Sequence, residues 1–434
     1  MNLQHLAEQA LSALQREGAD ASQVTVTRTA LTEVNINLNE PSLLRSTQSH
    51  KLTLVGLWDG RKASTELSDL STEALLAAAA ALRTDAAAAP QDDANAVSSG
   101  QNTAITRGPL ESDLMALTDA AAELLEFRAA TTPTMTMEEG AATHTRTEVQ
   151  VVTSGGSHLA CTVGWYGLSV FGTARGTASD GTVRSSSFNY AGGDTEDLRG
   201  APASSRFGMG DMMRELTRSI DTQGVADCFG GKFTGDVVLT PMAVATLLGW
   251  LHAQVSDMAL ISGSSVYRER VGEVIASPLL TLGSWFDGPG VAAISADGFV
   301  APPLQLLNAG RLTTLTPSLY GSRKTGLKHV PTASSGWHLA AGVTPLSELL
   351  QGVQRGAVVG RLSMGSPAAN GDFSGVIKNS FALQGGEVGS ALSETMINGN
   401  VAQMLRNVVA VSTERIDTGG WCMPWVRVSG LHFS

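Results

Sequence analysis

Residues 246–263 read TLLGWLHAQVSDMALISG. The run is apolar except for one histidine, His252, and one acid, Asp257. Thr240 and Pro241 precede it as a helix cap and a first-turn proline, so the pattern predicts a helix over 241–260. Val244, Leu247, Leu248, Leu251, Val255 and Met258 recur at helical spacing and form the expected core face. His252 lies one position off that face and is followed by Ala253, so no general base sits beside it. His252 and Asp257 are five residues apart, which turns them away from each other by roughly 140° on a straight helix. They would share a metal only across a helix irregularity. A histidine at the edge of a packed helix is the simpler reading.

Upstream, the chain alternates in short segments, SQVTVTR, TEVNINLN, SLLRSTQSH and KLTLVGLW, with a hairpin turn at Asp59-Gly60. An amphipathic helix comes before them, carrying Leu3, Leu6, Ala7, Ala10, Leu11 and Leu14 on one face. An Ala/Leu helix capped by Ser71 or Thr72 follows them. Residues 1–84 therefore read as an α+β unit of helix, β-meander and helix. Residues 85–108 mix Ala, Asp, Ser, Pro and Gly without period and read as a linker. A second α+β unit is expected over 109–225. It opens on a helix after Pro109, continues in strands that turn at Gly155-Gly156, and closes on the helix FGMGDMMRELTRSIDT. Residues 226–434 read as a β-rich domain with few helices, at 241–260 and near 345–355 and 400–407. The fold class is α+β, with mixed or antiparallel sheets.

The chain has 434 residues, 43% hydrophobic and 16% charged, with a net charge of −11. No cluster of Lys and Arg marks a nucleic-acid or anionic-membrane surface. The longest apolar run is broken at Thr240-Pro241, so no membrane span is expected. Cys161, Cys228 and Cys422 are scattered and odd in number, which fits a reducing cytoplasm better than a disulfide framework.

Several catalytic signatures fail. Around Gly231-Lys232, Ala226 stands where a Walker loop needs glycine, and Phe233 where it needs a hydroxyl. GMGDMM lacks the third glycine of a dinucleotide fingerprint. Ser157 and His158 are adjacent on a strand and point to opposite faces. The eight histidines include no pair at metal spacing on one helix face; His329 and His338 are nine apart across a loop.

At the opening helix the chain resembles the TldD/TldE (PmbA) family of bacterial peptidase proteins, and its TldE/PmbA branch in particular. The resemblance is carried by GDVVLTPMAVATLLGWLHAQVSD, SSVYRERVGEVIASPLLTL, FDGPGVAAI, NAGRLTTLTPSLYGSRKTG, NGDFSG and MINGNVAQMLRNVVAV. It is most specific at 272–282 and 387–411, and the first two units look like the family's N-terminal layout. The resemblance implies that the TldD branch is a zinc peptidase with a His-Glu-x-x-x-His helix and a later cysteine ligand, while the TldE branch lacks these and serves as its partner. A forced match sets His252 at the first ligand, Ala253 at the glutamate and Asp257 at the second histidine. Such a site has no base to activate a metal-bound water. Cys422 lies twelve residues from the end of the chain and is not equated with the family's cysteine.

No catalytic, metal-binding or cofactor-binding residue is therefore assigned. His252, Asp257, Asp372 and Ser374 are the cleft-facing candidates, the last two from NGDFSG, which the resemblance sets toward the cleft. Asn398-Gly399-Asn400 are expected to turn the chain and cap a helix, with Val401, Met404, Leu405 and Val408 packing. The expected function is that of a cytoplasmic, non-catalytic TldE/PmbA-like subunit of a peptidase complex that degrades or matures peptides. Zinc is expected in the catalytic partner, a TldD-type homologue, and unfolded peptide is the expected substrate. The alternatives are a stand-alone hydrolase with a diverged site and a homodimeric peptide-binding protein.

Overall fold

A computed structural model of the protein describes residues 2–434. Its first half runs α1 (Leu3–Arg16), β1 (Ala21–Asn37), β2 (Glu40–Trp58), β3 (Arg61–Leu67), α2 (Thr72–Ala88), β4 (Asn102–Arg107) and α3 (Leu114–Thr131). It continues with β5 (Met135–Thr153), β6 (His158–Thr177), β7 (Val183–Ser185), β8 (Asn189–Thr195) and α4 (Met209–Arg218). Asn2, Ser71 and Asp113 cap α1, α2 and α3 by accepting a first-turn N–H.

The strands form one eight-stranded mixed sheet in the order β3-β2-β1-β5-β6-β4, with β7 and β8 also on β6. The two expected N-terminal units therefore share a sheet, joined where β1 pairs antiparallel with β5 from Gln23↔Thr153 to Asn37↔Glu139. They keep separate cores. Leu6, Ala10 and Leu14 of α1 and Leu75, Ala79 and Leu82 of α2 bury against Val24, Val26 and Leu52. Leu117 and Leu124 of α3 and Met212, Met213 and Leu216 of α4 bury near Val34, Ile36, Leu168 and Val170. Each buried leucine contributes about 1.5–3 kcal/mol by leaving water.

Residues 85–108 differ from the expected linker. α2 extends to Ala88, and Asn102–Arg107 form β4, parallel to β6 from Asn102↔His158 to Arg107↔Val163. An edge strand one face deep in Thr, Ala and Ile carries too weak an alternation to stand out beside an Ala/Asp/Ser tract. The short segments read upstream also merge: SQVTVTR and TEVNINLN are both β1, and SLLRSTQSH and KLTLVGLW are both β2.

The second half runs β9 (Thr222–Gly224), α5 (Val225–Phe229), β10 (Phe233–Leu239), α6 (Pro241–Val255), α7 (Asp257–Ser262), β11 (Leu282–Ser284), β12 (Leu304–Asn308), β13 (Arg311–Leu312), α8 (Leu319–Thr325), β14 (Trp337–Leu339) and α9 (Leu346–Gln351). It ends with β15 (Arg355–Val359), β16 (Arg361–Ser363), β17 (Asp372–Lys378), β18 (Ser380–Gln384), β19 (Glu387–Ser393), β20 (Met396–Asn400), α10 (Val401–Arg406), β21 (Val408–Asp417) and β22 (Trp421–Phe433). These strands make a fourteen-stranded sheet in which β22 pairs with β10, β14, β20 and β21. β9 belongs to this sheet through β19, so it begins a few residues before the boundary at 226.

α6 seats Val244, Leu247, Leu248, Leu251 and Val255 in the main core. The helix expected over 241–260 breaks at Ser256, whose backbone is extended. The break turns Met258, expected in the core, out to 85% exposure.

Candidate functional site

The break at Ser256 decides what becomes of the candidate ligands. His252 points from the last turn of α6 onto Trp337 of β14, with ring centroids 4.2 Å apart and ring planes inclined at 62°. Burial against this aromatic surface pushes its pKa down to about 4, so the ring is neutral. Asp257 starts α7 and turns toward α8 instead. Its carboxylate accepts the Ser318 backbone N–H at 2.8 Å and the Ser318 hydroxyl. Ser318 is the N-cap of α8, and its hydroxyl accepts the Gly321 N–H at 3.2 Å. The irregularity that a shared metal would need is present, yet the two side chains serve different neighbours.

Asp372 does a similar task. Its carboxylate accepts from the side-chain amides of Asn400 and Asn370, each at 2.8 Å, and these bonds hold it below the usual carboxylate range. Asn400 in turn caps α10 by accepting the Gln403 N–H at 3.0 Å. Val401, Met404, Leu405 and Val408 are buried as expected, but Asn398 and Gly399 lie within β20 and make no turn. Ser374 is exposed on β17 opposite Asn398 of β20.

Other pairings resolve in the same way. His329 Nε2 meets Asp297 Oδ2 at 3.0 Å, while His338 packs its ring on Trp285. Cys422 is buried opposite His338, and its neighbour Trp421 lies opposite Trp337 in the parallel β14–β22 pair. Adjacent strand residues face opposite ways, so Cys422 points away from the face that carries Trp337 and His252. Ser157 is buried on the Ser98 hydroxyl at 3.0 Å, and His158 is exposed. Among the described residues no three His, Cys, Asp or Glu side chains converge as a metal requires. The residues of α6 therefore do not fit a zinc site.

A large cleft lies elsewhere, between the two halves, with a volume of about 1020 Å³. None of His252, Asp257, Asp372 and Ser374 lines it. Its floor comes from β5, β6 and β8, one wall from α4, and the opposite wall from the first turns of α6 and from Trp421 and Trp425 of β22. Four carboxylates face it, those of Glu139, Asp194, Asp211 and Glu215, and no Lys, Arg or His lines it. Burial raises Glu215 to about 7, helped by the nearby Asp211, and raises Asp194 to about 6. Asp211 is paired with Arg214 at 2.8 Å, whereas Glu215 is partly buried and has no hydrogen-bond or ion-pair partner among the described residues. Sequence reading missed this cleft because it gathers residues from distant segments. The one local signal was Glu215 on the inner side of the amphipathic helix GMGDMMRELTR.

Residues 231–434 match the family model of the PmbA/TldA metallopeptidase C-terminal domain. A metalloprotease of Methanothermobacter thermautotrophicus is 28% identical over 194 residues, 41% of this chain and 42% of the relative. Metalloprotease PmbA of Escherichia coli O157:H7 is 27% identical over 187 residues, 39% of this chain and 41% of the relative. The alignments thus span about two fifths of the curated relatives' length. The fold extends further. A candidate modulator of DNA gyrase from Bacteroides thetaiotaomicron superposes with a TM-score of 0.83 at 19% identity, covering 99% of this chain and 98% of that one. TldE from Thermococcus kodakarensis superposes with a TM-score of 0.81 at 17% identity, covering 99% and 100%. Residues 231–434 thus match the C-terminal domain of the PmbA/TldD family, and the chain over its full length shares the fold of these solved structures.

Proposed function

We propose that this chain is the TldE-like, non-catalytic subunit of a two-subunit peptidase that degrades or matures peptides in the cytoplasm. Its partner is a homologue that carries the His-Glu-x-x-x-His helix and the zinc. The observation that carries this reading is the use of α6 and its continuation: His252 is neutral against Trp337, Ala253 stands where a general base is needed, and Asp257 is committed to the cap of α8. Activating a metal-bound water needs an open ligand set and a base, and these three positions supply neither. No described helix is long and apolar enough to cross a membrane. Cys161, Cys228 and Cys422 are all free thiols.

Co-expression with a His-Glu-x-x-x-His homologue from the same organism tests the proposal. A 1:1 complex on size exclusion with light scattering is expected, together with peptidase activity that needs both chains. Two results would overturn it. One is a partner that never co-elutes and is fully active alone. The other is stoichiometric zinc in this chain by itself, lost on His252→Ala.

A further inference from the structure

The cleft between the halves is unexplained by the subunit reading, and its walls select a ligand. The strand β8 forms its edge. The second half of the chain pins this strand near both ends: Asn379 donates its side-chain amide to the carbonyl of Phe188, the residue just before β8, at 3.2 Å, and the Asp194 N–H donates to the Thr418 carbonyl at 2.9 Å. Asp194 therefore directs its backbone away from β6, and in an antiparallel pair the residue two positions along does the same. That residue is Gly192, which lines the cleft and offers an N–H and a C=O at a sheet edge without a side chain in the way. A free strand edge of this kind is completed by an extended peptide.

The side-chain chemistry adds a sign. Glu139, Asp194, Asp211 and Glu215 face the cleft with no basic residue among its lining. Arg361, next to the lining residue Gly360, stacks on Phe188 at 4.4 Å and lies 6.0 Å from the Tyr190 ring centre, outside the lining. The N-terminus of α6 opens onto the cleft and contributes about half a positive charge. Asp211 is neutralised by Arg214 and Glu215 is only half ionised near pH 7, yet Glu139, Asp194 and the ionised fraction of Glu215 still leave the cleft negative. Phe171, Tyr190, Phe207, Trp421 and Trp425 supply aromatic surface, which attracts ammonium and guanidinium groups.

We infer that this cleft binds an extended peptide segment carrying lysine or arginine side chains, paired to the Gly192 edge with its cations toward Glu215 and Asp194. The inference is independent of the subunit reading, because it needs only this chain.

The test is fluorescence anisotropy on the full chain alone, with a labelled octapeptide of alternating lysine and valine. Three companion probes are its glutamine-for-lysine version, a version N-methylated at alternate backbone nitrogens, and spermine as competitor. The lysine peptide is expected to bind, the glutamine and N-methylated peptides at least tenfold more weakly, and spermine to compete poorly. The pair Glu215→Gln with Asp194→Asn is expected to weaken binding tenfold or more. The surface pair Glu126→Gln with Glu387→Gln is expected to leave it within twofold. Equal loss in both pairs would reduce the effect to the net charge of −11 and overturn the inference. Equal binding of the glutamine or N-methylated peptide would overturn it too, as would spermine binding as tightly as the lysine peptide. The peptide comparisons use the unaltered protein, so they decide even where a variant folds poorly.

Discussion

Asp257 holds the N-cap of a helix 61 residues further along the chain: its carboxylate takes both the backbone N–H and the hydroxyl of Ser318. A residue weighed as a metal-ligand candidate serves instead as a clamp between α7 and α8. Removing it leaves the Ser318 groups unsatisfied at a part-buried site. Asp257→Ala is expected to cost about 1–3 kcal/mol in chemical denaturation, with zinc content unchanged by elemental analysis. A variant as stable as the parent would show that the clamp carries no weight.

His252 gives a pH signature. Its folded pKa of about 4 lies below the ordinary 6.5, so the unfolded chain binds its proton first. The stability it contributes is present above pH 6.5 and is lost as the pH falls toward 4. The loss is on the order of 1–3 kcal/mol over that window, from 1.36 kcal/mol per pKa unit. His252→Phe keeps an aromatic ring against Trp337 and should flatten this part of the stability–pH curve. A variant whose curve between pH 7 and 4 overlays that of the parent would remove His252 as its source.

Glu215 has the opposite sense. Its folded pKa of about 7 lies above the ordinary 4.5, so its contribution is complete below pH 4.5 and lost as the pH rises through 7. Glu215→Gln should therefore melt above the parent at pH 8 and approach it at pH 5, a relative gain on the order of 1–3 kcal/mol. A gain that is the same at both pH values would contradict the burial of this charge.

Gly356 marks the parallel pairing of β10 with β15. It sits opposite Asp236, and a methyl added there would run into the Asp236 backbone carbonyl. Gly356→Ala forces two central strands apart and is expected to cost about 1–3 kcal/mol, lowering the melting temperature by a few degrees. Alanine accommodated without loss would mean that the strands can separate freely at this point.

Local chemistry made much of this fold readable. Ser71 capped its helix as its hydroxyl suggested, Asp59-Gly60 turned β2 into β3 with both residues at positive φ, and Thr240-Pro241 opened α6. Each signal lies within a few residues. What stayed hidden depends on distance along the chain. The β1–β5 ladder joins segments more than a hundred residues apart, and nothing in either strand names the other. The stop at Ser256 was equally opaque, because α7 is held in its new direction by Ser318 and not by a helix-breaking residue of its own. The candidate site was half legible: what α6 lacks could be counted from the sequence, but the tasks of Asp257 and Asp372 could not, since each supports the cap of another helix.

The ladder between β1 and β5 also constrains how this protein can be taken apart. Fifteen residues of β5, from Glu139 to Thr153, rely on β1 for their outer partners. Cutting away the first 84 residues would not release a tidy module. It would leave a long, bare strand edge on the remainder, a template for indiscriminate self-association. Attempts to produce the later segments without the first should yield aggregates, and exchanging this region between relatives should succeed only when α1 through β8 travel together.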